Sequence, residues 1–439
     1  MTGHAWNGDT AGPRDDPLQY GAVHFHADDM IDAGWAPGVR IALPDGLASG
    51  VYALRLRTGR GDPDHVPFVV APPVDGPRAE IAVLLPSFTY AAYANLRPPT
   101  DRPVRDPHDH LLAAHPEFGS STYDRHGDGS GVCYASLARP VLTLRPTYRS
   151  WLTGCPRHFG SDLSLLYWLR ANGHRFDVIT DHDLHAAGSA ALDGYRVVVT
   201  GSHPEYCSAQ MLDALDTYTR CGGCLMYLGG NGFYWVTSFR SGVVEVRRYG
   251  GTRTWDGEPG ERHHSTTGEP GGLWRDRGRP PNALTGIGMT AQGWGPATGY
   301  RRTPLSFEPD WSWVFDGVPG DVVGTSGLVL GGASGDELDR CDAGRGSPPQ
   351  TAVLASSLPH GAEYHAVVED VLAVDGDLSG LTSPLVRSDM TITERLGGGA
   401  VFAVGSIAFV GSLLVDDGVA TVVRNVLENF LARTRAGRR

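Results

Sequence analysis

Arg196-Val197-Val198-Val199-Thr200-Gly201-Ser202-His203-Pro204-Glu205-Tyr206 is the stretch on which the reading of this chain turns. A β-branched apolar run closed by a turn predicts a buried strand of a parallel sheet. Loops at the carboxyl ends of such strands are where open α/β sheets hold their ligands. His203 and Glu205 are two residues apart, so in extended backbone their side chains share one face. An imidazole and a carboxylate aimed together into a strand-end crevice suit metal or acid–base chemistry. The same residues equally suit the start of a helix, where Glu205 is favourable beside the N-terminal dipole.

Working outward, strands and helices alternate. Ile81-Ala82-Val83-Leu84-Leu85-Pro86 reads as a buried strand, followed after an irregular His- and Arg-rich stretch by a helix from Ser161 to Ala171. Phe176–Thr180 is the next strand, His182–Ala191 a helical crossover, Gln210–Arg220 a helix and Cys224–Leu228 a fourth strand. Gly399–Gly405 predicts a further strand, and Gly418–Arg433 a closing amphipathic helix with Val422, Val423, Val426, Leu427 and Phe430 on one face. This order implies an α/β fold with a doubly wound parallel sheet. Residues 1–18 are expected to be a disordered lead-in. Residues 19–75, with runs such as Arg40–Pro44, Gly50–Leu56 and Val66–Val70, are expected to form a small β-sandwich segment. Residues 76–439 are the α/β domain, interrupted over about 236–330 by a long irregular insertion rich in Gly, Pro, Trp and Arg.

Composition narrows the chemistry. The 439-residue chain carries a net charge of -12, which argues against nucleic acid or an anionic membrane as partner. It contains no lysine, so all 37 basic residues are arginine, and Schiff-base, lysine-base and P-loop chemistry are excluded. Six cysteines are too sparse for a disulfide framework, and Cys221-Gly-Gly-Cys224 reads as packing where a helix meets a strand. The opening residues Met1–Asp16 are polar, and no run of about 18 apolar residues occurs, so the expected location is cytoplasmic. The pairs His182/His185, His108/His110 and His263/His264 lack further ligands at zinc spacing and read as surface residues. Neither a Gly-x-Ser-x-Gly elbow nor a dinucleotide fingerprint is present.

Polar clusters follow three strands on one sheet edge: Ser87–Asn95, His203–Tyr206 and Gly229–Trp235. Five motifs then resemble one family: Phe88-Thr89-Tyr90 with Ala92-Tyr93-Ala94-Asn95; Tyr123-Asp124-Arg125-His126 before Gly129-Ser130-Gly131; His203-Pro204-Glu205-Tyr206; Tyr227-Leu228-Gly229-Gly230-Asn231-Gly232-Phe233-Tyr234-Trp235; and Gly331–Arg340. Together they are similar to the C-terminal catalytic region of the N,N-dimethylformamidase large, catalytic subunit, from about residue 19 to the end. The resemblance implies a mononuclear iron, as Fe(III), held by Tyr93, Tyr123 and Glu205, with Tyr90 as the fallback ligand. A packed aromatic with a satisfied hydroxyl is the commoner state of any single tyrosine. Hard oxygen anions suit a hard ferric ion, and a strong cation can ionise a phenol whose ordinary pKa is about 10.

The reaction so implied is hydrolysis of a formamide or other small amide to a carboxylic acid and an amine. Glu337 would move the proton, His203 would orient water or substrate, and Asn231 would hydrogen-bond the developing oxyanion. Glu337 could equally be a turn carboxylate, and Asn231 a left-handed turn residue. Arg247 or Arg248 would stand where other members place a lysine. The family's longer members carry a lectin-like β domain ahead of this segment and use a small helical subunit, so a homo-oligomer or a small partner subunit is expected. The sheet also resembles class I glutamine amidotransferases, whose nucleophile is a cysteine after a strand. Here His203 stands in that region, and Cys207 is read as non-catalytic. A different reading is a non-catalytic α/β module that binds a carbohydrate or small molecule through Phe233, Tyr234, Trp235, Trp311 and Trp313.

Overall fold

The computed structural model describes every residue except 1–5, 11–13, 21–25, 27–28, 30, 60, 74–75, 100–103, 105, 251–253, 258–260, 368–377 and 434–439. The lead-in expected over 1–18 therefore falls partly outside the described residues. In the segment that follows, β1 (Gly50–Leu56) and β2 (Asp64–Val70) form an antiparallel hairpin. Ser49 ties it to the main sheet, its Oγ accepting from the Val178 N–H at 2.8 Å. Arg40–Pro44 is irregular, and Ile41 and Leu43 are exposed. A two-stranded hairpin thus stands where a sandwich is expected, because no facing sheet is present among the described residues to cover its outer side.

Nine strands build the main sheet: β3 (Ile81–Leu85), β4 (Phe176–Thr180), β5 (Val197–Thr200), β6 (Cys224–Tyr227), β7 (Tyr300–Arg302), β8 (Val322–Val323), β9 (Thr351–Ser357), β10 (Asp389–Glu394) and β11 (Ala400–Ala403). Their spatial order is β8-β7-β9-β10-β11-β6-β5-β3-β4. The run β11-β6-β5-β3-β4 is parallel. The remaining pairings are antiparallel, so the expectation of a wholly parallel sheet is corrected to a mixed one. Connection length explains the change. Only residues 395–399 join β10 to β11, a hairpin-sized link, whereas parallel neighbours need a crossover of a dozen or more residues. The segment over 236–330, read from the sequence as a long insertion that carries hairpins, is built into the sheets. It supplies β7 and β8, the hairpin Trp235–Arg240/Val243–Val246 and the long strand Gly288–Thr298.

Around the parallel strands the two faces follow the period-2 alternation of side chains. Ile81, Val83, Leu85, Val197, Val199 and Phe402 pack with Leu165 and Leu169 of α2 (Phe159–Ala171) and with Val422, Val426 and Phe430 of α5 (Asp417–Ala432). Ala82, Leu84, Val198, Leu225 and Val401 pack with Leu184 of α3 (Asp181–Ala187) and Met211 and Leu215 of α4 (Ala209–Arg220). From β3 the chain moves to β4 on one side and then to β5 on the other. The carboxyl ends of β3 and β5 therefore flank the topological switch point, where such sheets open a crevice.

Candidate active site

Three loops leave the carboxyl ends of β3, β5 and β6. After β3 comes the short helix α1 (Ser87–Ala92), whose end residue Tyr93 is held by its N–H donating to Thr89 O at 3.0 Å. The Thr89 hydroxyl accepts from the Glu205 N–H at 3.1 Å, locking the loop after β5 against α1. Gly201–Glu205 is thus a loop and not a helix start; Tyr206–Cys207 is a short strand, and α4 begins later, capped by Ser208. The loop after β6 slots in beside it through glycines. A Cβ on Gly229 would lie 2.2 Å from Ser202 O, and one on Gly230 2.4 Å from Glu337 O. Asn231 follows in left-handed backbone, φ 46°, its N–H donating to Asp339 Oδ1 at 2.8 Å.

Two further segments close the site. The Thr122 N–H donates to Ala92 O at 2.9 Å, which sets Tyr123 against Tyr93. Strand Ser334–Arg340 contributes Glu337, and Asp336 at φ 69° breaks its alternation. As a result Asp336 and Glu337, adjacent in sequence, both face Arg157: Nε to Asp336 Oδ2 is 2.8 Å and Nη2 to Glu337 Oε1 is 3.2 Å.

The oxygens converge. Tyr123 OH contacts Tyr93 OH and lies 3.2 Å from each Glu205 carboxylate oxygen. Trp235 Nε1 and Asn231 Nδ2 donate to Glu205 Oε1 at 2.9 and 3.2 Å. Asn231 Nδ2 also donates to Glu337 Oε2 at 2.8 Å, and His203 Nε2 lies 3.0 Å from that oxygen. His158, at φ 54°, shares its Nε2 between Arg157 Nη1 at 2.7 Å and His203 Nδ1 at 3.0 Å. Tyr93, His203, Glu205, Asn231 and Glu337 are buried, while Tyr123 and His158 are half-buried and mark the side from which a small molecule can approach.

Burial dominates the electrostatics. It holds the Tyr93 and Tyr123 phenols well above their ordinary range, with the Glu205 carboxylate adding to the effect. It also pushes the Glu205 carboxyl up. Against the same burial, His203 and Arg157 hold Glu337 down at about 2. The two neighbouring carboxyls are thus pushed in opposite directions.

The donor set fits a ferric ion. Among the described residues no group of three His, Cys, Asp or Glu side chains is placed to hold a metal, while Tyr93, Tyr123 and Glu205 bring three hard oxygen donors together. Asn231 Oδ1 is buried and lacks a hydrogen-bond partner, as a polar atom meant for something bound there would.

The structure brings together Tyr93, Tyr123, Glu205, His203, Asn231 and Glu337, all six residues expected from the sequence. Tyr90 is elsewhere: it donates to Asp162 Oδ2 at 2.5 Å. Tyr90→Phe should therefore leave iron binding intact and cost roughly 1–3 kcal/mol of stability, from the Asp162 Oδ2 it leaves without a donor while Oδ1 keeps the Ser202 N–H. Tyr93→Phe should lose the iron while staying folded. Metal analysis alongside denaturant unfolding of both variants checks this. Of the histidine pairs, His182 bonds the Ser87 hydroxyl and His264 that of Ser238.

Arg157, His158, Asp336 and Tyr206 were not singled out in the sequence. Only the Arg-rich character of the stretch before α2 hinted at Arg157. Of the two candidate arginines, Arg248 lies against the ligands, and Arg247 pairs with Glu245. Removing Asp336 takes both of its bonds from the buried Arg157 guanidinium and leaves the single contact to Glu337, so Asp336→Ala should destabilise the fold by about 3 kcal/mol, read as a lower denaturant midpoint.

The mixed α/β sheet thus carries a cluster of tyrosine and carboxylate oxygens at the carboxyl ends of its parallel strands. The chain belongs to the family described as N,N-dimethylformamidase beta subunit-like, C-terminal, which matches residues 1–421. It is 40% identical to the N,N-dimethylformamidase beta subunit of Paracoccus aminophilus over 448 aligned positions, covering 98% of this chain and 58% of that protein. It is 38% identical to the beta subunit of an Alcaligenes species, with the same coverage. The chain thus spans somewhat over half the length of these relatives. Both are named as beta subunits and not as the large catalytic subunit expected from the motifs. A ThuA-like protein from Bacteroides uniformis ATCC 8492 aligns at 12% identity over 63% of this chain and 84% of its own, with a TM-score of 0.34, too low to argue from. No helix among the described residues is long and apolar enough to cross a membrane.

Proposed function

We propose that this chain is the catalytic part of an iron-dependent amidohydrolase. It would hydrolyse the C–N bond of a formamide or related small amide to a carboxylic acid and an amine. The observation that carries the reading is the convergence of the Tyr93, Tyr123 and Glu205 oxygens beside Glu337, His203 and Asn231. Iron held by Tyr93, Tyr123 and Glu205 would supply Lewis acidity toward the amide carbonyl and a water. Glu337, kept ionised by Arg157 and His203, accepts the proton of the attacking water and returns it to the leaving amine. Asn231 Nδ2 donates to both Glu205 and Glu337, and by releasing the longer bond to Glu205 it can donate to the oxygen that gains charge. His203, braced by His158, orients the water. The buried walls keep bulk solvent from the reacting atoms.

The names of the relatives support a subunit within a larger enzyme, and a partner subunit or self-association is part of this proposal. So are a cytoplasmic location and the likeness of the parallel half-sheet to the glutamine amidotransferases. The test is release of formate and amine from N,N-dimethylformamide, N-methylformamide and formamide by iron-loaded protein. Stoichiometric release from one of them supports the reading. Iron-loaded protein silent toward the whole series contradicts it. A binding module, by contrast, would hold no stoichiometric iron.

A further inference from the structure

Arg248 is fully buried and enclosed by aromatic rings. Its guanidinium carbon lies 4.4 Å from the Tyr123 ring centre, 4.4 Å from Trp235 and 5.7 Å from Trp255. Nη2 donates to the Tyr206 hydroxyl, while Nε and Nη1 have no hydrogen-bond partner. Ring faces offset part of the cost of burying the cation, but two nitrogens whose three N–H groups have no partner remain expensive. Such a group needs a compensating role. Tyr206 in turn donates to the Tyr123 oxygen at 2.7 Å. The direction is fixed, because a guanidinium can only donate.

We infer that Arg248 and Tyr206 form a donor relay ending on the Tyr123 oxygen, which weakens that phenolate's electron donation to iron and makes the two tyrosine ligands unequal. The inference rests on the iron reading above. A charge-assisted hydrogen bond stabilises electron density on the oxygen that accepts it. Moving an electron from that phenolate to the ferric ion then costs more energy, and the ion is left a stronger Lewis acid. Arg248 and Tyr206 are positioning residues: neither touches the reacting atoms.

Tyr206→Phe keeps the ring and deletes the donor. Its phenolate-to-iron charge-transfer band should move to longer wavelength. Arg248→Met keeps the Tyr206 donor and removes the charge behind it, so its band should move the same way by less. Trp235→Phe deletes a donor to the Glu205 carboxylate, which is not the chromophore, so the relay requires a smaller shift there than in Tyr206→Phe. A band at the wild-type wavelength in Tyr206→Phe overturns the relay even if iron binding weakens, as does an equal or larger shift in Trp235→Phe. If Tyr206→Phe does not fold, an unmoved band in Arg248→Met overturns it. A colourless, iron-free wild type fails the iron reading itself and takes the relay with it.

Discussion

Glu205→Gln should lose iron almost completely, with affinity falling by more than the 100-fold that loss of an outer hydrogen-bond partner produces. The substitution keeps the side-chain shape but removes one of three anionic donors. It also turns an oxygen that accepts from Trp235 Nε1 and Asn231 Nδ2 into part of an amide, and if the NH2 faces those donors it repels them. Activity should fall in parallel with bound metal. The fold should not suffer: burial already pushes the Glu205 carboxyl up, so the metal-free variant should be at least as stable as metal-free wild type. Metal content and unfolding midpoint, measured on the same preparations, separate loss of the ligand from loss of the fold. Retention of full iron by a folded Glu205→Gln protein would contradict the ligand assignment.

Glu337→Gln should do the opposite. Glu337 lies beside the ligands but belongs to the proton-transfer side, between His203, Asn231 and Arg157. The variant should hold iron with an unchanged charge-transfer band and lose about 10²–10⁴-fold in kcat, the usual share of a general acid–base. KM should change little, because the amide contacts are made by other groups. Arg157 keeps its paired bonds to Asp336, so no buried cation is stranded and the protein should fold. Steady-state kinetics on iron-matched samples checks it; a kcat within tenfold of wild type would remove Glu337 from the mechanism.

The parts of the fold most legible in the sequence were the parallel strands and their helices. Runs rich in β-branched residues such as Val197–Thr200 and Val178–Thr180 leave little choice of structure, and α4 and α5 begin and end within a residue or two of their sequence boundaries. The antiparallel half was not legible. Strands such as Tyr300–Arg302, Ser334–Arg340 and Asp389–Glu394 are short or carry buried Asp, Glu and Thr, so no apolar pattern marks them. Their buried polar groups are satisfied by contacts distant in sequence, as with Tyr227 donating to Asp339 at 2.7 Å.

The site divides in the same way. His203, Glu205 and Asn231 stand directly after strands, so position marks them, whereas Tyr93, Tyr123 and Glu337 were marked only by the resemblance to a known family. Arg157 and Tyr206 act through partners far along the chain, and no local spacing records such a pairing. The choice between Tyr90 and Tyr93 needed three dimensions. Both lie on one short helical turn, and only the position of Asp162 on α2 shows which hydroxyl is already engaged.

Iron content and the visible and resonance Raman spectra of protein produced in iron-replete medium test the central claim most directly. The account predicts near one iron per chain and a phenolate-to-iron charge-transfer band whose excitation enhances tyrosine ring modes. A folded protein that binds no iron under these conditions, or an iron spectrum without tyrosine modes, would contradict it.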